Sequence, residues 1–142
     1  MTTVRHLLER KGRAIFSIRP EDPVLEAIRS MADHHVGALV VMRELELVGI
    51  VSERDYARKV ILMGRSSSET PVSQIMSAPV RTVDLDTTVE ECMRMMTERR
   101  IRHLPVIERG RVAGVVSIGD LVKAVIEDQQ HAIEQLESYI HS

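Results

Sequence analysis

The sequence predicts an α/β (α+β) fold made of two pseudo-symmetric β-α-β-β-α copies packed sheet to sheet, with short helices at either end. Three observations predict it. The 142-residue chain matches itself without a gap at an offset of 65, so that residues 17–61 lie on 82–126 and twelve of the 45 pairs are identical. Within each copy, helical spacing of apolar residues and β-rich runs follow one another in the same order. A unit of about fifty residues cannot bury an adequate core alone, so the two copies must pack together.

The elements follow in order. A short strand is predicted at 15–18 and again at 80–83. A helix then carries Val24, Ala27, Ile28 and Met31 at i, i+3, i+4 and i+7, one buried face, and its twin carries Val89, Cys92, Met93 and Met96. Two β-rich runs come next, "VGALVVM" and "LVGIVS", joined near residues 43–46; in the second copy they are "LPVIE" and "RVAGVVS", joined at Arg109-Gly110. A second helix starts at a Ser-x-x-Asp corner, Ser52 with Asp55 and Ser117 with Asp120. The lead-ins "VRHLL" (4–8) and "VSQIM" (72–76) share a V-x-x-[IL]-[LM] pattern. These boundaries give one domain over 1–142: repeat 1 at about 12–62, a polar linker "GRSSSETP" at 64–71, repeat 2 at about 77–127, and a C-terminal helix to about 141. That last helix has a narrow apolar stripe of Ile133, Leu136 and Ile140, which predicts a homodimer.

Composition removes several function classes. A net charge of −2 and three aromatics, Phe16, Tyr56 and Tyr139, argue against nucleic-acid binding. Sixteen arginines against three lysines keep local anion sites open, because guanidinium suits bidentate contact with phosphate. Cys92 is the one cysteine and stands where the first copy has Ala27, so it reads as a core residue in a reducing compartment. No apolar run is long enough for a membrane span, and the N-terminus lacks the apolar stretch of a secretory signal. A cytoplasmic location is expected, with an organelle matrix left open. His34-His35 invites a metal reading, but adjacent helix residues point apart; a helix C-terminus explains them, and no metal is expected. "TERRIRH" (97–103) reads as a helix-end charge cluster turned partly toward an anion. Ser117, His103 and Asp120 can be drawn as a triad, but residue type alone supports it, and no catalysis is expected.

The Ser-x-x-Asp corner has two readings. One is helix capping, with serine at the N-cap and aspartate in the first turn. The other is a ligand site. The tandem copies, each closing on G-[IV]-V-S-x-x-D, resemble a cystathionine-β-synthase (CBS) domain pair, or Bateman module, across residues 1–127. The resemblance implies a cleft for adenosine-containing ligands such as AMP, ATP, NAD or S-adenosylmethionine, a regulatory role, and disc-like dimers paired through the repeat helices. By resemblance, Asp55 and Asp120 with Ser52 and Ser117 hold ribose. Arg102, His103, Arg54 and Arg58 hold phosphate. Ser17, Val36 and Gly37 on one side, and Thr82 and Ile101 on the other, line the adenine. The two half-sites are expected to differ, because Arg102-His103 of copy two replaces Gly37-Ala38 of copy one. The expected function is an adenine-nucleotide-binding sensor acting in trans on an unknown protein; the competing reading is a ligand-free dimerisation module.

Overall fold

The computed structural model describes residues 2–141. Helix α1 (Val4–Lys11) leads into the first copy: β1 (Ser17–Ile18), α2 (Val24–His34), β2 (Ala38–Arg43), β3 (Glu46–Ser52) and α3 (Glu53–Tyr56), the last continuing as a π-helical turn over Ala57–Ile61. A 3-10 turn (Val72–Gln74) precedes the second copy: α4 (Val89–Arg99), β4 (His103–Glu108), β5 (Arg111–Ser117) and α5 (Ile118–His141). The pseudo-symmetry extends to detail. Ala38 pairs with Ser52 as His103 pairs with Ser117, and each hairpin has an irregularity at the same place, Val41/Met42 and Val106/Ile107. The equivalent residues His35 and Arg100 end α2 and α4 with φ of 54° each, the left-handed cap that stops a helix.

One strand is lost in the second copy. β1 runs parallel to β2, with Ser17 opposite Val40 and the Val40 amide donating to the Phe16 carbonyl at 3.3 Å. The residue equivalent to Val40 is Pro105, which has no N–H to donate. The strand expected at 80–83 therefore shrinks to a single parallel bridge, Val83 to Val106, held by Val83 N–H to Pro105 O at 3.0 Å and Ile107 N–H to Val83 O at 2.8 Å.

The core is two clusters, and each lead-in enters the cluster of the other copy. Val4, Leu7 and Leu8 of α1 pack with Val89, Cys92, Met96, Leu104, Val116 and Leu121 of copy two. Val72 and Ile75, which precede copy two, pack with Val24, Met31, Leu39, Val51 and Val60 of copy one. Backbone bonds fix the exchange: Val4 N–H to Thr87 O at 2.9 Å on one side, Val72 N–H to Asp22 O at 2.8 Å on the other. The strand glycine common to both copies is where the exchanged segment lands. A Cβ on Gly49 would meet Met76 Sδ at 2.5 Å, and one on Gly114 would meet Leu8 Cδ2 at 2.9 Å. Neither unit closes its own core; each borrows one apolar turn, and β3 and β5 meet where the sheets face.

The closing helices differ. No glycine or proline occurs between Asp120 and His141, so the repeat helix and the expected C-terminal helix form one continuous α5. In copy one the helix is short and ends before Gly64, whose φ is 66°. His34 closes α2 with its ring stacked on Phe16, centroids 3.9 Å apart.

Candidate functional site

Both Ser-x-x-Asp corners form where an antiparallel hairpin ends in a helix. Ser52 is extended (φ −126°, ψ 166°), and its Oγ accepts the Asp55 amide at 3.2 Å. Asp55 Oδ2 accepts in return from the Ser52 amide at 3.0 Å and the Ser52 hydroxyl at 3.1 Å. Ser117 and Asp120 repeat the arrangement at 3.2 and 2.8 Å. Capping is thus real at both corners. It uses one oxygen of Asp55 and leaves the other to Lys59 Nζ at 3.1 Å. Each corner is pinned to the residue before its own β2-type strand: Glu53 N–H to Gly37 O at 3.0 Å, Ile118 N–H to Arg102 O at 2.8 Å.

Between the copies lies a cavity of about 620 Å³, within the usual range for small-molecule sites. The first corner supplies Ser52, Arg54, Asp55, Arg58 and Lys59. The end of α4 and the segment after it supply Arg99, Arg100, Ile101, Arg102 and His103, and the lead-in to copy two supplies Pro79, Val80 and Arg81. Gly37, Ser117 and Gly119 complete it from the other sides. Arg54 Nη1 reaches across to the Arg100 carbonyl at 3.5 Å. Seven Arg and Lys side chains therefore line the cavity against two carboxylates, Glu53 and Asp55. Such an excess is stable only because the cavity is open to water, and it attracts anions.

Of the residues singled out in the sequence, Ser52, Asp55, Arg54, Arg58, Gly37, Ile101, Arg102, His103 and Ser117 come together on this wall. Asp120, Ser17, Val36 and Thr82 do not line it. Ser17 is an exposed residue of β1, Thr82 is exposed, and Val36 packs on the first core. Asp120 faces a separate recess of about 80 Å³, where Lys11 Nζ lies 2.6 Å from Oδ2 and also donates to the Val115 carbonyl at 2.8 Å. Arg81, Arg99 and Arg100 were not singled out as site residues. The "TERRIRH" run held the signal for two of them. Nothing local to Arg81 marks it.

His103 is mostly buried. Its ring lies against Gly37, where an added Cβ would sit 3.4 Å from Cε1 and Nε2. Burial, then Lys11 and Arg102, push its pKa below the usual imidazole value, with Asp120 opposing them. It is neutral at neutral pH. Cys92, buried in the second core, has its thiol pushed up to about 11 by burial, which suits packing rather than reactivity. Among the described residues no group of three or more His, Cys, Asp or Glu is placed to hold a metal, and no helix is long and apolar enough to cross a membrane.

Known proteins repeat this plan. The family model for the CBS domain matches twice, at residues 4–61 and 72–127. The matches include the exchanged lead-ins. The CBS domain-containing protein CBSX3, mitochondrial, of Arabidopsis thaliana is 41% identical over 98% of this chain and 72% of its own length. A solved protein with CBS domains from Burkholderia ambifaria is 50% identical, covers 90% of this chain and 96% of its own, and superposes with a TM-score of 0.87. A CBS domain pair solved in complex with 5′-methylthioadenosine and S-adenosyl-L-methionine shares the fold at a TM-score of 0.80, with 23% identity over 90% of this chain and 98% of its own. Two matched copies spanning most of the chain, on a backbone that superposes with solved members, make the chain a member of the CBS domain family, a tandem pair.

Proposed function

We propose that the cavity binds an adenine nucleotide with a phosphate chain, of the AMP, ATP or NAD kind, and that the protein is a sensor module whose occupancy regulates a separate partner protein. The supporting observation is the charge of the wall. Seven cations against two carboxylates, Glu53 and Asp55, line about 620 Å³. A carboxylate offers acceptors to the two vicinal hydroxyls of a ribose, while guanidinium groups match phosphate oxygens in pairs. Val80 and Ile101 give an apolar surface for a base. This balance favours ligands with several phosphates. It disfavours S-adenosylmethionine, whose sulfonium adds a cation to a cationic wall. The role is regulatory rather than catalytic, and a single buried cysteine suits a reducing compartment, cytosol or organelle matrix.

Isothermal titration with ATP, ADP, AMP, NAD, adenosine and S-adenosylmethionine tests this. Each charge-assisted bond contributes on the order of 1.5–3 kcal/mol, so ATP or NAD should bind at least about tenfold more tightly than adenosine. Equal affinity for ATP and adenosine would remove the phosphate reading. No binding of any of the six at millimolar concentration would favour a ligand-free interaction module instead.

A further inference from the structure

Helix α5 outruns the domain that supports it. Its first turns pack Leu121 and Ala124 into the second core. Further along, Glu127 pairs with Arg10 at 2.6 Å, and Asp128 accepts the Thr2 hydroxyl at 2.7 Å. Residues 129–141 are all exposed. Thirteen residues of helix, about 20 Å long, are marginal in water without a packing partner.

The exposed face has a strict seven-residue repeat. Ile126, Ile133 and Ile140 recur at one heptad position, and Val122, Gln129 and Leu136 at the other. The five apolar members are between 44% and 73% exposed. Residue 124, which faces the core, lies on the opposite side of the helix from 122 and 126, so the stripe points away from its own domain. A two-position seam this narrow, with β-branched residues at one position, is the pattern that accepts a single partner helix rather than a broad core.

We infer that this face binds α5 of a second copy of the chain, antiparallel and centred on residue 131. That register sets Ile126 beside Leu136 of the second copy, Ile133 beside its Gln129, and Ile140 beside its Val122, and two-fold symmetry repeats each layer. It also sets Lys123 beside Glu137 of the second copy, once at each end of the seam. A parallel register has no such match: Lys123 would face Ile118 of the second copy, Glu137 its Ala132, and Gln129 would stack on Gln129. The antiparallel arrangement also keeps the two globular parts at opposite ends. This surface is separate from the repeat helices through which the family resemblance implies disc-like pairing.

Light scattering of the full chain, with variants on the seam, is the test. The wild type should run at about twice 16.1 kDa at micromolar concentration. Ile133→Lys lies outside the domain core, should keep its circular dichroism and melting transition, and should weaken dimerisation at least a hundredfold. Lys123→Glu should weaken it about tenfold, and adding Glu137→Lys should restore it. A monomeric wild type overturns the proposal, as does a dimer that survives Ile133→Lys. Orientation has its own readout. Ile126→Cys mixed with Leu136→Cys should give the crossed disulfide, whereas self-crosslinking of Ile126→Cys alone would establish a parallel pair and overturn the register.

Discussion

Asp55 and Asp120 are the same residue of one repeat. Each follows the end of the same strand, closes the same reciprocal cap with a serine, and opens the same kind of helix. Yet Asp55 looks into a cavity of about 620 Å³, and Asp120 is held by Lys11 in a recess of about 80 Å³. The motif therefore does not make the site. The segment that precedes the opposite copy does. Before copy two, "VSQIMSAPV" reaches Pro79 and cannot continue as helix; Ser77 pairs with Ile50 in extended form, and the chain then lines the cavity. Before copy one, "VRHLLERKGR" has no such break until Gly12. Helix α1 runs on to Lys11 and delivers an ammonium to Asp120.

The largest test of this contrast is Asp→Asn at each corner, which keeps size but removes charge and one acceptor. Asp55→Asn should weaken nucleotide binding by roughly ten- to a hundredfold, about 1.4 kcal/mol per decade. Asp120→Asn should leave it nearly unchanged, because Asp120 faces the separate small recess and does not line the cavity. Equal losses in the two variants, read by titration calorimetry, would mean that both half-sites are in use.

A second test asks how alike the cores are. Gly49→Ala places a Cβ against Met76 Sδ and 3.2 Å from the Ser77 carbonyl, which is backbone; Gly114→Ala meets only the Leu8 side chain. Both should destabilise, within the roughly 1–3 kcal/mol of overpacked sites, and Gly49→Ala more, because the backbone cannot turn aside. Urea midpoints at constant m-value would measure it. A milder effect at Gly49 would show that the copy-two lead-in is the looser of the two.

The third test removes the latch. In Lys11→Ala, Asp120 loses its partner, and the recess gains the volume of the lysine stem. The ion pair is partly exposed, at 38% and 23%, so stability should change by no more than about 1 kcal/mol. Nucleotide titration should then gain a second, weaker phase. A titration that stays single-phase would locate the closure elsewhere, with the His103 ring packed on Gly37 as the next candidate.

How much of this the sequence held follows from the range of the interactions. The repeat was legible because twelve identities fall on one offset, and the corners were legible because capping links residues three apart. The loss of the second β1-type strand was legible in principle, in the proline at 105. The exchange of lead-ins was not. A V-x-x-[IL]-[LM] pattern says that two segments are equivalent, but not which core each one enters. The pairing of Lys11 with Asp120 spans 109 residues and depends on that exchange. Arg81 enters the cavity for the same reason, carried in by the extended lead-in rather than by any motif around it.

The smallest expected effect concerns pH and His103, which lines the cavity and feels the charges of Lys11 and Asp120 in the recess. His103 lines the cavity, its ring lies on Gly37, and its pKa is held below the ordinary 6.5 by burial first and by Lys11 and Arg102 next. Below about 6.5 the unfolded chain takes up this proton before the folded one does. Stability present above 6.5 should therefore be lost progressively as the pH falls toward the lowered folded value. A phosphate in the cavity acts the other way: it favours the imidazolium, so binding takes up a proton and should strengthen as the pH falls through the same window. Melting temperatures of the ligand-free protein and nucleotide affinities, both measured between pH 5 and pH 8, should move in opposite directions. In His103→Gln both slopes should flatten. Affinity that falls with acidification in the wild type would place the phosphate away from His103, on the Arg54 and Arg58 side of the cavity.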